Sequence, residues 1–323
     1  MAPKKVLVCG ATGFIGRNIL DAFQHDPDYA LHGVYCHTEP AAGLLTRSTL
    51  RLIRADLRDA AQVDRCIAGM DIVIQAAAVT SGSGEIVTRP HIHVTDNAVM
   101  NALLFRACLE HAVQHVIFFS CTSIYPSSRL PAKESDFDHH IVDTYFGAGW
   151  TKVYNEKMCE FYARIGPTRY TVLRHSNIYG PFDKFDLRRS HVCGGTITKV
   201  LSAPEGGHIV VWGDGSELRD LLYVDDLVQF VRQALRLQTT PFELVNVGAG
   251  ESISVRALVE TIVTVSAKKL TITYDRARPT IPFDSVLNID KARTLFQWQP
   301  QTPLADGIRK TLEWRLKHDA PPP

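Results

Sequence analysis

An α/β fold, a doubly wound parallel sheet with a smaller mixed α/β unit beside it, is predicted by three features of the sequence. Residues 6–18 (VLVCGATGFIGRN) form an apolar run that breaks at Gly10, Gly13 and Gly16 and resumes with helical spacing, as a first strand feeding a glycine-rich turn would. Strand-like and helix-like stretches alternate from there on, which argues for parallel strands joined by helices on both faces of the sheet. Residues 71–78 (DIVIQAAA) are continuously apolar, as suits a strand buried on both faces.

In the glycine turn, Gly10 permits the tight bend, Gly13 lets backbone N–H groups approach a pyrophosphate, and Gly16 lets the helix pack on the strand. Such a triplet also occurs in ordinary strand-to-helix turns, so its weight comes from the strands downstream of it. Residues 30–36 (ALHGVYC) read as the second strand, whose end selects the dinucleotide. A carboxylate there accepts the ribose hydroxyls of NAD, whereas the extra phosphate of NADP needs neutral or basic surroundings. Cys36 and His37, with Arg47 and Arg54 downstream, lean to NADP, with NAD the second choice; a solvated surface is the plain alternative for His37 and the arginines. Residues 52–55 are the next strand, after which Asp56 and Leu57 can meet an adenine edge. At the end of 71–78, the small Ala76 and Ala77 let a cofactor lie close to the backbone.

Asp96 is the expected N-cap of a helix that sets Met100, Leu103, Leu104 and Ala107 on one face, for packing on the sheet. Residues 115–120 (HVIFFS) are a strand running into Ser120-Cys121-Thr122-Ser123-Ile124-Tyr125-Pro126. Residues 144–164 form a long helix with Lys152, Asn155, Glu156 and Cys159 on one side. The strand 169–174 leaves through HSNIYGP into the polar, glycine-ended stretch PFDKFDLRRSHVCGG, so the change of domain is placed near His175. A helix over 223–237 and a strand over 243–247 return to the first unit, and Ser254 caps a further helix anchored by Val255, Leu258 and Val259. The expected division is 1–174 with about 217–249 for the dinucleotide, and 175–216 with 250–323 for the second unit. The final DAPPP is expected to fray.

Composition narrows the function classes. With 323 residues the chain exceeds one ordinary core, and 45% hydrophobic with 21% charged residues is the balance of a soluble globular protein. A net charge of +1 offers no general attraction to nucleic acid or membrane, so a phosphate site must be local. There is no secretory leader pattern and no apolar run of about 18 residues. The seven cysteines contain no CxxC pair, against zinc or a disulfide framework, and the expectation is a cytoplasmic protein without a metal.

These residues together resemble the extended short-chain dehydrogenases/reductases that act on nucleotide sugars. The resemblance covers nearly the whole chain: GATGFIG, ADLRD, SCTSIYP, GWTKVYNEK, LRHSNIYGP, GDGSELRDLLYVDDL and NVGAGESISV, in the family's order and spacing. It implies that Gly10, Thr12, Gly13, Phe14, Ile15 and Gly16 surround the cofactor, with His37, Asp56, Leu57, Ala76, Ala77, Ser120 and Lys152. SIYP, the insertion PFDKFDLRRSH and Val211-Trp212-Gly213 resemble the branch that epimerises and reduces a GDP-linked 4-keto-6-deoxy sugar. In that branch a histidine at the place of His191 is the acid/base beside the hexose ring. Asn177 resembles the family's substrate amide, and Arg219 and Arg278 offer guanidinium forks for the diphosphate. Trp212 can stack on a base or sit in the core. The helices near Asp96 and Trp150 resemble those of the family's dimeric four-helix bundle, which implies a homodimer.

Reducing a ketone creates an alkoxide, so a proton donor must stand beside the carbonyl. A tyrosine does this when a lysine four residues later, one helical turn on, stabilises its phenolate. Lys152 is the family's lysine, but position 148 is alanine. Three readings are open: natural loss of catalysis, a role for Tyr145 two turns or about 10 Å away, and a deliberate tyrosine-to-alanine replacement that holds substrate without turnover. The last is preferred, because Lys152, His191, Asn177 and Arg219 all persist.

The family's catalytic Ser/Thr falls on Cys121, a poorer hydrogen-bond donor that Thr122 or Ser123 can replace, and the branch's epimerisation cysteine falls on Ser123. Thr122 and Ser123 also stand where dehydratases need an Asp-Glu pair, against dehydration. The expected activity is NADP(H)-dependent reduction of the C4 ketone of a GDP-linked sugar, with or without C3/C5 epimerisation. The alternatives are a nucleotide-sugar 4-epimerase holding NAD and a non-catalytic NADP(H)-binding regulator.

Overall fold

The computed structural model describes residues 2–41, 44, 50–80, 89–187, 189–278 and 280–319. In chain order its strands are β1 (Lys4–Cys9), β2 (Tyr29–Tyr35), β3 (Leu50–Arg54), β4 (Ile72–Gln75), β5 (His115–Cys121), β6 (Arg169–His175), β7 (Asn177–Tyr179), β8 (His208–Trp212), β9 (Leu218–Arg219), β10 (Leu221–Tyr223), β11 (Phe242–Val247), β12 (Ile253–Ser254) and β13 (Thr271–Asp275). The helices are α1 (Phe14–Phe23), α2 (Ala60–Ile67), α3 (Thr95–Glu110), α4 (Phe146–Ile165), α5 (Val192–Ser202), α6 (Val224–Leu237), α7 (Val255–Val265), α8 (Asp290–Phe296) and α9 (Leu304–Asp319).

Seven strands in the order β11-β6-β5-β4-β1-β2-β3 form one sheet, every neighbouring pair parallel. Val6, Val8 and Ile74 point to the face covered by α1 and α6, and Leu7, Cys9 and Val73 to the face covered by α2, α3 and α4. This alternation of buried residues is what a doubly wound, Rossmann-like sheet demands. A third apolar core gathers Tyr179, Ile197 and Ile209 with Val255, Leu258, Val259 and Ile308. The strand expected to return to the first unit, β11, does so beside β6, and, as the sequence predicts, the Ser254 side chain accepts from Ala257 N at 3.1 Å to cap α7.

Several boundaries differ from the sequence reading. Helix α3 begins at Thr95, so Asp96 lies inside its first turn, where a carboxylate favours the helix dipole, and is not its N-cap. Strand β4 stops at Gln75, and Ala76 to Ala78 run on as loop. Helix α4 starts at Phe146, because Asp143–Tyr145 is a separate 3-10 turn. Arg47 and residues 320–323 lie outside the described residues.

Candidate active site

The C-terminal ends of β1, β4, β5 and β6 open on one edge of the sheet, where α/β folds bind their ligands. Gly10 has φ +78°, and a Cβ there would stand 2.9 Å from Ala77 N. At Gly16 it would stand 2.2 Å from Gly10 O. The turn therefore admits backbone only, and Ala76 and Ala77 form its opposite wall. Helix α1 has Gly13 at its N-cap, with no side-chain cap and no acid in its first turn. A helix start of this kind suits a pyrophosphate, so the residues present fit a dinucleotide. Thr12 is half-buried, and the side chains of Phe14 and Ile15 pack on the first core. Gly10→Ala is expected to cost about 1–3 kcal/mol of stability and to weaken cofactor binding, since a non-glycine residue is strained at this φ. Urea unfolding checks this, and an unchanged midpoint would refute it.

At the adenosine end Leu57 and Asp56 are held in different ways. The Leu57 side chain is 4% exposed and belongs to the second core, leaving only its backbone for a ligand. Asp56 is gripped by Arg58, whose Nη2 donates to Oδ2 at 2.8 Å, and this holds the carboxyl at about 2. Arg58 reaches Asp96 as well, at 3.0 Å. His37 is exposed beside Cys36, while Arg54 pairs with Glu39 at 3.5 Å.

At the reaction end, Lys152 Nζ donates to Phe119 O at 2.7 Å. Burial lowers its pKa, against the opposing pull of Cys121 and Glu156. Ala148 lies one turn earlier on α4 and is half-buried. Cys121 Sγ is 3.0 Å from Ser123 Oγ; burial raises the thiol pKa, with Lys152 acting the other way. Thr122 is buried. Tyr145 packs its ring 5.7 Å from Phe283, and burial pushes its pKa up despite the charge of Arg219.

His175 was missed as a site residue. It pairs in register with Cys121 at the ends of β6 and β5, so the two side chains share a face of the sheet. Burial pushes its pKa down to about 4, assisted by the charges of Lys152 and His191. The signal was legible: a histidine closing a strand that the family motif already placed at the site.

Ser120 departs from its expected role. One residue before Cys121, it faces the other way, and its fully buried hydroxyl donates to Glu156 Oε1 at 2.5 Å instead of facing a cofactor. Glu156 receives Arg174 at 2.7 Å, and Arg174 Nη1 donates to Tyr125 OH at 2.8 Å. Tyr125 donates onward to Asn246 Oδ1 at 2.7 Å. Burial opposes the charge of Arg174, but Glu156 and Tyr125 hold it protonated more firmly than usual. This buried lattice joins β5, α4, β6 and β11 behind the site.

His191 is the N-cap residue of α5; it keeps an exposed edge, yet the surrounding protein mass lowers its pKa, aided by Lys184. Lys184 Nζ donates to Thr80 O at 2.7 Å, and Asn18 Nδ2 to Pro181 O at 2.9 Å, so the insertion before α5 is strapped across the loop after β4 and α1. Asn177 Nδ2 donates to Asp220 O at 3.3 Å. The Arg219 guanidinium, half-buried, is tied to the carbonyls of Leu218, Ile281 and Phe283 through Nη1 and Nη2. Trp212 is 49% exposed, outside the third core, and Arg278 lies 5.7 Å from its ring.

Known proteins resemble this chain in sequence and fold. Residues 6–248 match the NAD dependent epimerase/dehydratase family. GDP-L-fucose synthase of Azorhizobium caulinodans is 27% identical over 97% of this chain and 96% of its own. A dTDP-4-dehydro-6-deoxy-D-allose reductase of a Streptomyces species is 28% identical over 98% of both chains. Among solved structures, a UDP-N-acetylglucosamine 4-epimerase from Methanobrevibacter ruminantium superposes with TM-score 0.86 at 24% identity, over 98% of this chain and 100% of that one, a likeness of fold. With three quarters of its length matched by the family and every core strand of the sheet in place, the chain belongs to the NAD dependent epimerase/dehydratase family.

Proposed function

We propose that this fold serves NADP(H)-dependent reduction of the C4 ketone of a 4-keto-6-deoxy nucleotide sugar, GDP-linked, with or without C3/C5 epimerisation at His191. The carrying observation is that Lys152, Cys121, His175 and His191 lie near enough to influence one another's charge, with Cys121 and His175 at the same C-terminal edge of the sheet that carries the glycine turn. Two relatives whose names denote deoxysugar synthesis and reduction, similar over nearly the full chain, support the same reading.

A nicotinamide cofactor in this site supplies or accepts the hydride. The N-terminus of α1 binds its pyrophosphate, and Ala76 and Ala77 leave room beside it. His191, partly open and able to stay neutral, takes a proton from the carbon next to the ketone; inversion there needs a second donor on the opposite face of the ring, where Ser123 stands in place of the branch's cysteine. Lys152, fixed on Phe119 O, holds positive charge where a phenolate would form. Ala148 supplies no such phenol, so we read this chain as the impaired form of an active enzyme. Residues 175–216 and 250–323, around the third core, are read as the nucleotide-sugar unit, with Asn177, Trp212 and Arg278 toward the nucleotide. Exposed Val99 on α3 and Phe146, Tyr154, Phe161 and Ile165 on α4 support a homodimer through these helices.

NADP(H) is preferred because Cys36 and His37 put no carboxylate at the end of β2. One observation favours the second reading, a 4-epimerase holding NAD: Arg54 is already paired with Glu39. Calorimetry on the chain as it stands is expected to show NADPH binding at least tenfold tighter than NADH, about 1.4 kcal/mol. Tenfold tighter NADH would overturn the cofactor assignment and move the function to the second reading.

A further inference from the structure

His175 Nδ1 lies 2.8 Å from Ser176 O. A carbonyl only accepts, so Nδ1 carries the proton, and the neutral ring presents Nε2 as an acceptor. Nε2 has no hydrogen-bond partner among the described residues. The ring is packed edge-on against Phe119, centroids 6.1 Å apart, and its backbone is held in the sheet beside Cys121, so it has a fixed place. Lys152, the nearest cation of the reaction end, spends its ammonium on Phe119 O. The lowered basicity of the imidazole, which burial, Lys152 and His191 together cause, keeps Nε2 unprotonated at neutral pH.

We propose that His175 is a specificity-determining residue: its Nε2 accepts a hydrogen bond from a ring hydroxyl of the hexose held between Lys152 and His191. The inference rests on the reading that this cleft takes a nucleotide sugar. It comes from the groups the cleft offers: Lys152 Nζ, Asn177 Nδ2 and Ser123 Oγ are already engaged with Phe119 O, Asp220 O and Cys121 Sγ, whereas Nε2 of His175 is an acceptor left without a hydrogen bond among the described residues. A sugar hydroxyl satisfies it; a deoxy carbon at that position covers this half-buried acceptor without pairing it and binds less well.

The test is calorimetry on the whole chain with GDP-, UDP-, CDP- and dTDP-linked 4-keto-6-deoxyglucose, the matching nucleoside diphosphates, and NADPH. The parent chain binds at least one of the sugars. His175→Phe is expected to weaken that sugar about tenfold to a hundredfold, leaving the nucleoside diphosphate and NADPH unchanged. His175→Gln, whose Oε1 can accept, restores part of the loss, and this separates hydrogen bonding from a damaged fold. Unchanged sugar affinity in His175→Phe would overturn the proposal while leaving the proposed function standing. Equal losses for sugar and nucleoside diphosphate, or a loss for NADPH, would also overturn it, the latter assigning Nε2 to the cofactor's carboxamide. Failure of the parent chain to bind any of the sugars would remove the functional reading and the proposal with it.

Discussion

Replacing Ala148 by tyrosine is expected to raise the rate of 4-keto nucleotide-sugar reduction by about 10²–10⁴-fold, the usual worth of a positioned proton donor. Position 148 lies on α4 one turn before Lys152, so a phenol placed there projects along the same helix face. The lysine is already anchored, its Nζ 2.7 Å from Phe119 O, and needs no rearrangement to stabilise a phenolate. The half-buried setting of Ala148 leaves a route for the larger side chain toward the cleft. Steady-state oxidation of NADPH with the parent and the Ala148→Tyr chain measures the gain. Since alanine can neither donate a proton nor hydrogen-bond a carbonyl, the parent relies on water and should turn over slowly. No gain on any nucleotide sugar would favour a regulator that binds the cofactor without catalysis.

Arg174→Ala is expected to destabilise the fold by about 3–5 kcal/mol, because it strands a buried carboxylate. The side chains of Arg174 and Glu156 are each 4% exposed, and Ser120 depends on the same carboxylate. Truncation also takes a donor from Tyr125, whose own donation to Asn246 ties β11 to the sheet. The companion Arg174→Met/Glu156→Leu removes both charges together and should cost much less, since apolar packing commonly replaces a buried ion pair without loss. Urea unfolding of both variants distinguishes the two cases. A loss below about 1 kcal/mol for Arg174→Ala would place the pair with exposed salt bridges, which contribute little.

The parts of this architecture carried by local pattern were legible in the sequence. The glycine turn, the buried β4 apart from its end, the return of β11 and the Ser254 cap each depend on residue types within a few positions, and each is where the pattern puts it. What escaped depends on alternation or on distance. Ser120 was read with Cys121 as one site run, yet neighbours on a strand face opposite ways, and only Cys121 shares a face with His175. Leu57 comes after a polar strand end but turns into the second core. The grip of Arg58 on Asp56 joins residues two apart, while its second bond to Asp96 crosses to α3. Tyr125 and Asn246 meet across most of the fold, and no periodicity connects them. Arg219 keeps its motif position, but the carbonyls that occupy it come from the segment around Phe283.

On the proposed function this cleft delivers hydride to a sugar carbonyl and wants for a phenol at position 148 to protonate the oxygen. Incubating Ala148→Tyr with a 4-keto-6-deoxy nucleotide sugar and NADPH deuterated at the transferable position tests it most directly, read by NMR of the product. The account predicts one deuterium at C4 of the sugar, with oxidised cofactor formed in equal amount. Unlabelled sugar returned with its ketone intact, while the same protein binds both ligands, would contradict it.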